Sequence, residues 1–359
     1  MNVFNVKALL DINVFAGDTL ADSFTEKQRD QRHMQSLQSF IDPTILFFIL
    51  GITAGALRSN LEIPPQISRF LSLYLLMALG LKGGFALAKS GLTTEVVISL
   101  ACAVLLAVVI PLMGYLLLRR FLNGYDAAAV AATYGSVSAV TFITAVQYLD
   151  NHGIAFGGHM AAAMALMESP AIVLAVVLAN LQRKRDAGAG NPLHKGMSLK
   201  HLIHESLTDG TPLLLMGAML IGMLTGDAGK VAMQPFTGDL FKGMLAFFLL
   251  DMGLLAARNV GGLKGKSAWL LAYAVIGPLV HAGLALLLGK AFGMSLGNTI
   301  LLMVLAGSAS YIAVPAVVRQ AIPEASPSLY FGMSLGLTFP FNILVGIPLY
   351  AYVAKQLLN

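Results

Sequence analysis

The chain has 359 residues, 57% hydrophobic and 11% charged, with a mean hydropathy of +0.76. Soluble domains carry roughly 25% charged residues, so this composition fits repeated membrane spans and excludes a cytosolic enzyme or a nucleic-acid binder. The formal net charge of +5 arises from 23 Lys and Arg against 18 Asp and Glu. The basic residues lie mostly at the ends of apolar runs, where membrane topology accounts for them.

Residues 1–40 are polar and mixed in charge, and the apolar stretch 8–16 is interrupted by Asp11 and lacks a basic start, so it makes a poor signal peptide. Ten apolar segments follow, near 42–58, 65–88, 95–118, 126–148, 159–181, 211–226, 239–257, 267–289, 296–318 and 328–354. Each is read as a transmembrane helix, in an all-α integral membrane protein. The organisation expected is an N-terminal extramembrane segment (1–40), a first five-helix repeat (41–182), a cytoplasmic loop (183–210) and a second five-helix repeat (211–359). Alternate short loops hold thirteen Lys and Arg on one side and five on the other. The positive-inside rule then places both termini in the periplasm and the 183–210 loop in the cytoplasm of a bacterial inner membrane.

Landmarks recur between the halves at offsets of 167 to 173 residues: Gly135-Ser136-Val137-Ser138 with Gly307-Ser308-Ala309-Ser310, Pro170 with Pro340, Gly80-Leu81 with Gly253-Leu254, and Pro111-Leu112 with Pro278-Leu279. An odd number of spans per half makes the second half enter from the opposite side, so the repeats are expected to be inverted. Glycine and small hydroxyl residues at mid-membrane weaken the fourth and ninth helices, which are expected to be broken at the two GSxS motifs. Broken helices offer free N–H groups and a partial positive charge to a small anion. The other reading of the same residues is close helix packing; their recurrence in register favours the site.

Lys82, Glu168, Asp251 and His281 sit inside apolar runs, where a charge needs a partner, a cavity or a neutral form. Lys82 and Asp251 fall on repeat-equivalent spans and are expected to approach each other, as a structural or a coupling pair. Glu168 precedes Ser169-Pro170, and the proline frees the carbonyl of Leu166, so a cation or a proton would find oxygen ligands there. Thr338, with Asn342 nearby, is the neutral counterpart in the second half. His281 is read as a packed histidine donating to a carbonyl. His201 and His204 make weak metal spacing in a loop that also holds His194. Cys102 lies in an apolar run and has no second cysteine to pair with. Nucleophile, zinc-protease and phosphate-loop motifs are absent from the sequence, so no enzyme and no ATP-driven step is expected.

With these motifs in hand, the chain resembles the sodium-dependent bicarbonate transporter family, known from cyanobacteria and other bacteria. The resemblance runs from about Asp42 to the C-terminus. It rests on Gly80-Leu81-Lys82-Gly83-Gly84, the 135–138 motif with Thr141, Glu168-Ser169-Pro170-Ala171, Pro278-Leu279-Val280-His281, and the prolines from Pro323 to Pro340. It implies a homotrimer in the lipid bilayer and an anion cradle of Gly135, Ser136, Val137, Ser138, Gly307, Ser308, Ala309 and Ser310. It also implies Na+ as coupling ion, with ligands from Thr141, Glu168 and Ser310, no other cofactor, and regulation by a small PII-like cytoplasmic protein. The chain departs from the cyanobacterial pattern at Glu168 and Tyr311, where those members carry Asp. The expected function is import of a small inorganic anion, bicarbonate, by sodium symport with alternating access. The rival readings are an organic-anion carrier resembling the bile acid sodium symporters, and a membrane sensor or scaffold with vestigial transport.

Overall fold

Helix starts in this chain are set by proline and by polar caps. Proline opens α1 (Pro43–Ala56), α2 (Pro65–Ser90) and α12 (Pro327–Leu358), positions where its missing N–H would have no partner in any case. Asp42 caps α1 by accepting from the Thr44 amide at 2.8 Å, and Asn123 caps α4 by accepting from that of Asp126 at 2.8 Å. The computed structural model describes residues 42–187, 210–263 and 265–358. The expected segment 1–40, most of the 183–210 loop and its three histidines lie outside the described residues.

Among the described residues the protein is all helical. The remaining elements are α3 (Thr94–Leu118), α4 (Gly124–Gly135), α5 (Ala139–Asn151), α6 (Met160–Ala187), α7 (Gly210–Gln234), α8 (Leu240–Asn259), α9 (Ala268–Ala291), α10 (Leu296–Gly307) and α11 (Ala313–Ala321). Seven helical stretches are long and apolar enough to cross a membrane, while Pro43–Ala56 and Leu296–Gly307 are apolar but shorter. α6 continues to Ala187, past the expected start of the loop at 183; in that stretch Arg183 is tied to Glu324 at 2.7 Å and Asp186 accepts from Tyr125 at 2.6 Å and from Gln182 at 3.0 Å. Gly226, with φ 53°, breaks the helical backbone inside α7, a conformation that glycine adopts without a Cβ penalty.

The most extensive helix pairs are α2 with α7 and α1 with α8. Both are built on glycine. A Cβ at Gly84 would strike the carbonyl of Met219, and one at Gly253 the carbonyl of Phe48; small residues let such backbones touch where lipid supplies no hydrophobic drive. α3 packs on α4 and α6, and α9 on α10 and α12. One large core gathers Phe48, Leu75, Phe142, Phe248, Leu301 and Phe339, and a second surrounds Tyr134, Val314 and Tyr330.

Candidate functional site

The fourth and ninth apolar segments are each interrupted where the sequence places glycine and serine. α4 ends at Gly135 and α5 starts at Ala139, with Ser138 as its cap; α10 ends at Gly307 and α11 starts at Ala313. The breaks meet inside the protein. The Ser138 amide donates to Ser308 Oγ at 3.0 Å, and the Ser310 amide donates to the carbonyl of Thr133 at 2.8 Å. α5 and α11 therefore both start at one crossing and direct first-turn N–H groups and positive dipole ends towards it.

Most hydroxyls here already have work. Ser138 Oγ accepts from the amide of Thr141 at 3.2 Å and from its hydroxyl at 2.9 Å. Ser308 Oγ donates to the carbonyl of Leu305 at 2.9 Å, and Ser310 Oγ accepts from the Val314 amide at 3.3 Å. Ser136 differs: it is 1% exposed and its hydroxyl has no hydrogen-bond partner. A buried hydroxyl without a partner costs on the order of 1–3 kcal/mol, which a bound ligand would recover. Val137 and Ala309 are buried beside these serines.

Each break is braced by its neighbours. A Cβ at Gly135 would enter the ring of Pro111 on α3, and one at Gly307 would crowd the carbonyl of Pro278 on α9 and the hydroxyl of Tyr350. Asn342 donates to the carbonyl of Gly307 at 2.7 Å and accepts from Tyr350 at 3.0 Å. Thr338 donates to the carbonyl of Ala274 at 2.6 Å and meets the Tyr134 hydroxyl at 2.6 Å. Both Thr338 and Asn342 sit on π-helical turns that flank Pro340; the proline removes an amide, and the wide turns carry the helix past the gap. Tyr134 and Tyr350 were not legible as site residues, because an aromatic in an apolar run reads as core.

The structure places the ionisable residues differently from the expectation for one pair. Lys82 Nζ lies 3.7 Å from Asp150 Oδ2 and 4.3 Å from the centroid of the Phe241 ring, not against Asp251. The two residues line separate cavities. Lys82, Lys89, Lys230, Asp150 and Asp227 line one of about 760 Å³ along the C-terminal half of α2. Asp251 lines another, of about 710 Å³, along the N-terminal half. Leu75 and Leu76 of α2, both fully buried, fall between them. Helical repeats equate positions in sequence; the inward path of each side chain depends on the face it occupies, and these two face different clefts. His281 is packed, at 3% exposed, and its Nδ1 has no hydrogen-bond partner.

Glu168 is half-buried on α6, the helix that packs on α11. At the start of α6, His159 is buried, and desolvation holds its pKa below the usual imidazole value, with the charge of Glu95 opposing. Glu95 accepts from the Ser295 amide at 2.7 Å and from Asn298 Nδ2 at 2.8 Å. Asn298 Oδ1 in turn accepts from the Gly157 amide at 2.7 Å. This network joins the starts of α3, α6 and α10. Among the described residues no three His, Cys, Asp or Glu side chains gather as a metal site.

A family model for the Na+-dependent bicarbonate transporter superfamily matches residues 43–355. The chain belongs to this family. The match takes in both breaks, both cavities and Glu168, and leaves out the first 42 residues. No curated protein matches the chain. Membership, with seven helices able to span a bilayer, makes this a multi-pass membrane protein of a transporter family, and the sodium dependence in the family's name fits Na+ as its coupling ion.

Proposed function

We propose that the protein imports bicarbonate by sodium symport, holding the anion where the two helix breaks meet. The observation that carries this reading is the pair of cross-break hydrogen bonds, Ser138 to Ser308 and Ser310 to Thr133, which bring two helix N-termini to one buried point. Bicarbonate is small, planar and singly charged. Backbone amides and the Ser136 hydroxyl would receive its oxygens, and Gly135, Val137, Gly307 and Ala309 keep the cradle narrow. Sodium beside it, on Thr141, Glu168 and Ser310, would offset the buried negative charge, so each ion raises the affinity for the other.

Ten spans in two inverted repeats, 41–182 and 211–359, are part of the same reading. Its support is reciprocal packing: the first helix of each half lies on the second helix of the other, α1 on α8 and α7 on α2. In each half, too, the glycine that ends the broken helix touches the proline of the preceding span, Gly135 on Pro111 and Gly307 on Pro278. The two cavities lie at opposite halves of α2, and rocking of one bundle against the other would open each in turn to the crossing. In this reading the Lys82 cavity faces the periplasm and the Asp251 cavity the cytoplasm of an inner membrane. Both termini are periplasmic, the protein is a homotrimer, and a PII-like protein acts on the cytoplasmic face.

Uptake of labelled bicarbonate into proteoliposomes tests the reading, with an inward sodium gradient, with none, and with Glu168→Gln. Uptake that requires sodium and drops in the variant is expected. A folded preparation that takes up no bicarbonate, with or without sodium, would overturn it.

A further inference from the structure

Asp251 lies near the middle of α8 and is 4% exposed, yet its Oδ2 has no hydrogen-bond partner. Ser68 of α2 lines the same cavity as the carboxylate. An ionised carboxylate can accept about four hydrogen bonds, and a buried charge left short of partners is strongly destabilising. Among the described residues no basic side chain is ion-paired with it, and Arg258 acts on it only through its charge at a distance. Arg258, two turns further along α8, is exposed and donates to the carbonyl of Leu61 at 3.2 Å. Arg69 is also exposed at the cavity rim, with Glu62, and Lys82 is engaged with Asp150 in the other cavity. An ionised Asp251 would draw its compensating charge from the cavity beside it.

We propose that Asp251 is the centre of a second sodium site, separate from the Thr141, Glu168 and Ser310 set, in the cavity between α2 and α8. The inference rests on the reading of the protein as a sodium-coupled transporter and adds a second ion to it. Asp251 Oδ2 is the anionic ligand. Ser68 and Ser72, four residues apart and so on one face of α2, line the same cavity and offer neutral oxygens; water in the cavity completes the shell. Hard oxygen ligands of this kind suit a hard monovalent cation.

Tyr311 connects the site to the anion cradle. It lines the cavity, its hydroxyl donates to Met252 Sδ at 3.5 Å beside Asp251, and it directly follows Ser310 in the second break. A cation at Asp251 thus sits one side chain away from the proposed bicarbonate, and their attraction acts across a protein interior where charge is poorly screened. The exposed Arg69 and Arg258 stand at the rim of the same cavity, on the side where an imported anion would leave.

Thermal unfolding of the full chain in detergent tests the site without transport, with NaCl titrated against choline chloride at constant ionic strength. The wild type is expected to be stabilised by sodium. In Asp251→Asn the sodium midpoint should rise about tenfold or more, the loss of a charged ligand, and Ser68→Ala should raise it less. In proteoliposomes, uptake should depend on sodium sigmoidally in the wild type and hyperbolically in Asp251→Asn. If Asp251→Asn fails to fold, Asp251→Glu and Ser68→Ala carry the test, and unchanged midpoints in both overturn the site. A variant with the wild-type sodium midpoint and sigmoid but an altered pH profile overturns it in favour of a proton. Sodium-dependent uptake that Glu168→Gln abolishes and Asp251→Asn leaves intact sinks this inference alone. Sodium-independent uptake in the wild type sinks the inference and the symport reading together.

Discussion

The backbone amide of Ser138 donates to the side chain of Ser308, 170 residues away, at 3.0 Å. One serine thus caps a helix in its own half while the other completes the backbone of the opposite half. Ser136, two residues earlier, makes no such bond. The two serines should separate stability from binding. Ser308→Ala orphans a buried amide and should cost about 1–3 kcal/mol in unfolding free energy, read as a lower melting temperature. Ser136→Ala removes an unpartnered hydroxyl, so it should hold or raise the melting temperature of the ligand-free protein and raise the bicarbonate concentration needed for half-maximal uptake.

The helix pairs that frame the site depend on bare backbone. Gly84→Ala and Gly253→Ala each drive a methyl into a facing carbonyl, that of Met219 or Phe48, and helix separation should cost about 1–3 kcal/mol in each case. Gly217→Ala is the control on α7, since nothing lies within 4 Å of its would-be Cβ; there alanine should stabilise by up to about 1 kcal/mol through helix propensity. Melting in detergent of the three variants checks the contrast. Equal behaviour at all three positions would argue that these crossings are loosely packed.

Repetition made much of this legible in the sequence. Gly135 and Pro111, or Gly307 and Pro278, are common residues singly, but their recurrence in register marked the breaks that the structure contains. Boundaries followed from apolar length, and they failed where polar side chains find partners, as Arg183 and Asp186 do at the end of α6. Pairings across the fold were not legible. Asp150 sits at the end of a span and gives no sign that it will reach Lys82, since that contact depends on how α5 and α2 rotate about their axes. The roles of Asn342 and Tyr350 were hidden for the same reason: Asn342 bonds the Gly307 carbonyl that the break frees, and Tyr350 bonds Asn342 in turn.

Lys82 and Asp150 are 30% and 43% exposed at the side chain, and 3.7 Å apart. Water reaches both, so their coupling in a double-mutant cycle of Lys82→Met and Asp150→Asn should stay within about 1 kcal/mol. Transport should be more sensitive. Lys82 is the innermost cation of the cavity it shares with Lys89 and Lys230, and its loss should raise the bicarbonate KM more than it lowers kcat. A coupling well above that bound, with uptake unaffected, would make the pair structural.

His159 supplies a pH dependence whose direction is fixed by its surroundings. Burial holds its pKa below the ordinary value of 6.5, outweighing the opposing charge of Glu95. In the unfolded chain the imidazole protonates near the ordinary value, so below it the unfolded state binds more protons than the folded one. The stabilisation due to a neutral His159 is therefore complete above about pH 6.5 and is lost as pH falls from there towards the depressed folded pKa. His159→Gln, which cannot take up a proton, should lose less melting temperature than the wild type between about pH 7.5 and pH 5. Glu95→Gln should act oppositely on the histidine, because removing the carboxylate takes away the one charge that favours the imidazolium. It should also weaken the caps on Ser295 and Asn298 at every pH. Parallel melting curves for the wild type and His159→Gln across that range would show that His159 stays neutral or exposed in both states, contrary to the geometry at the start of α6.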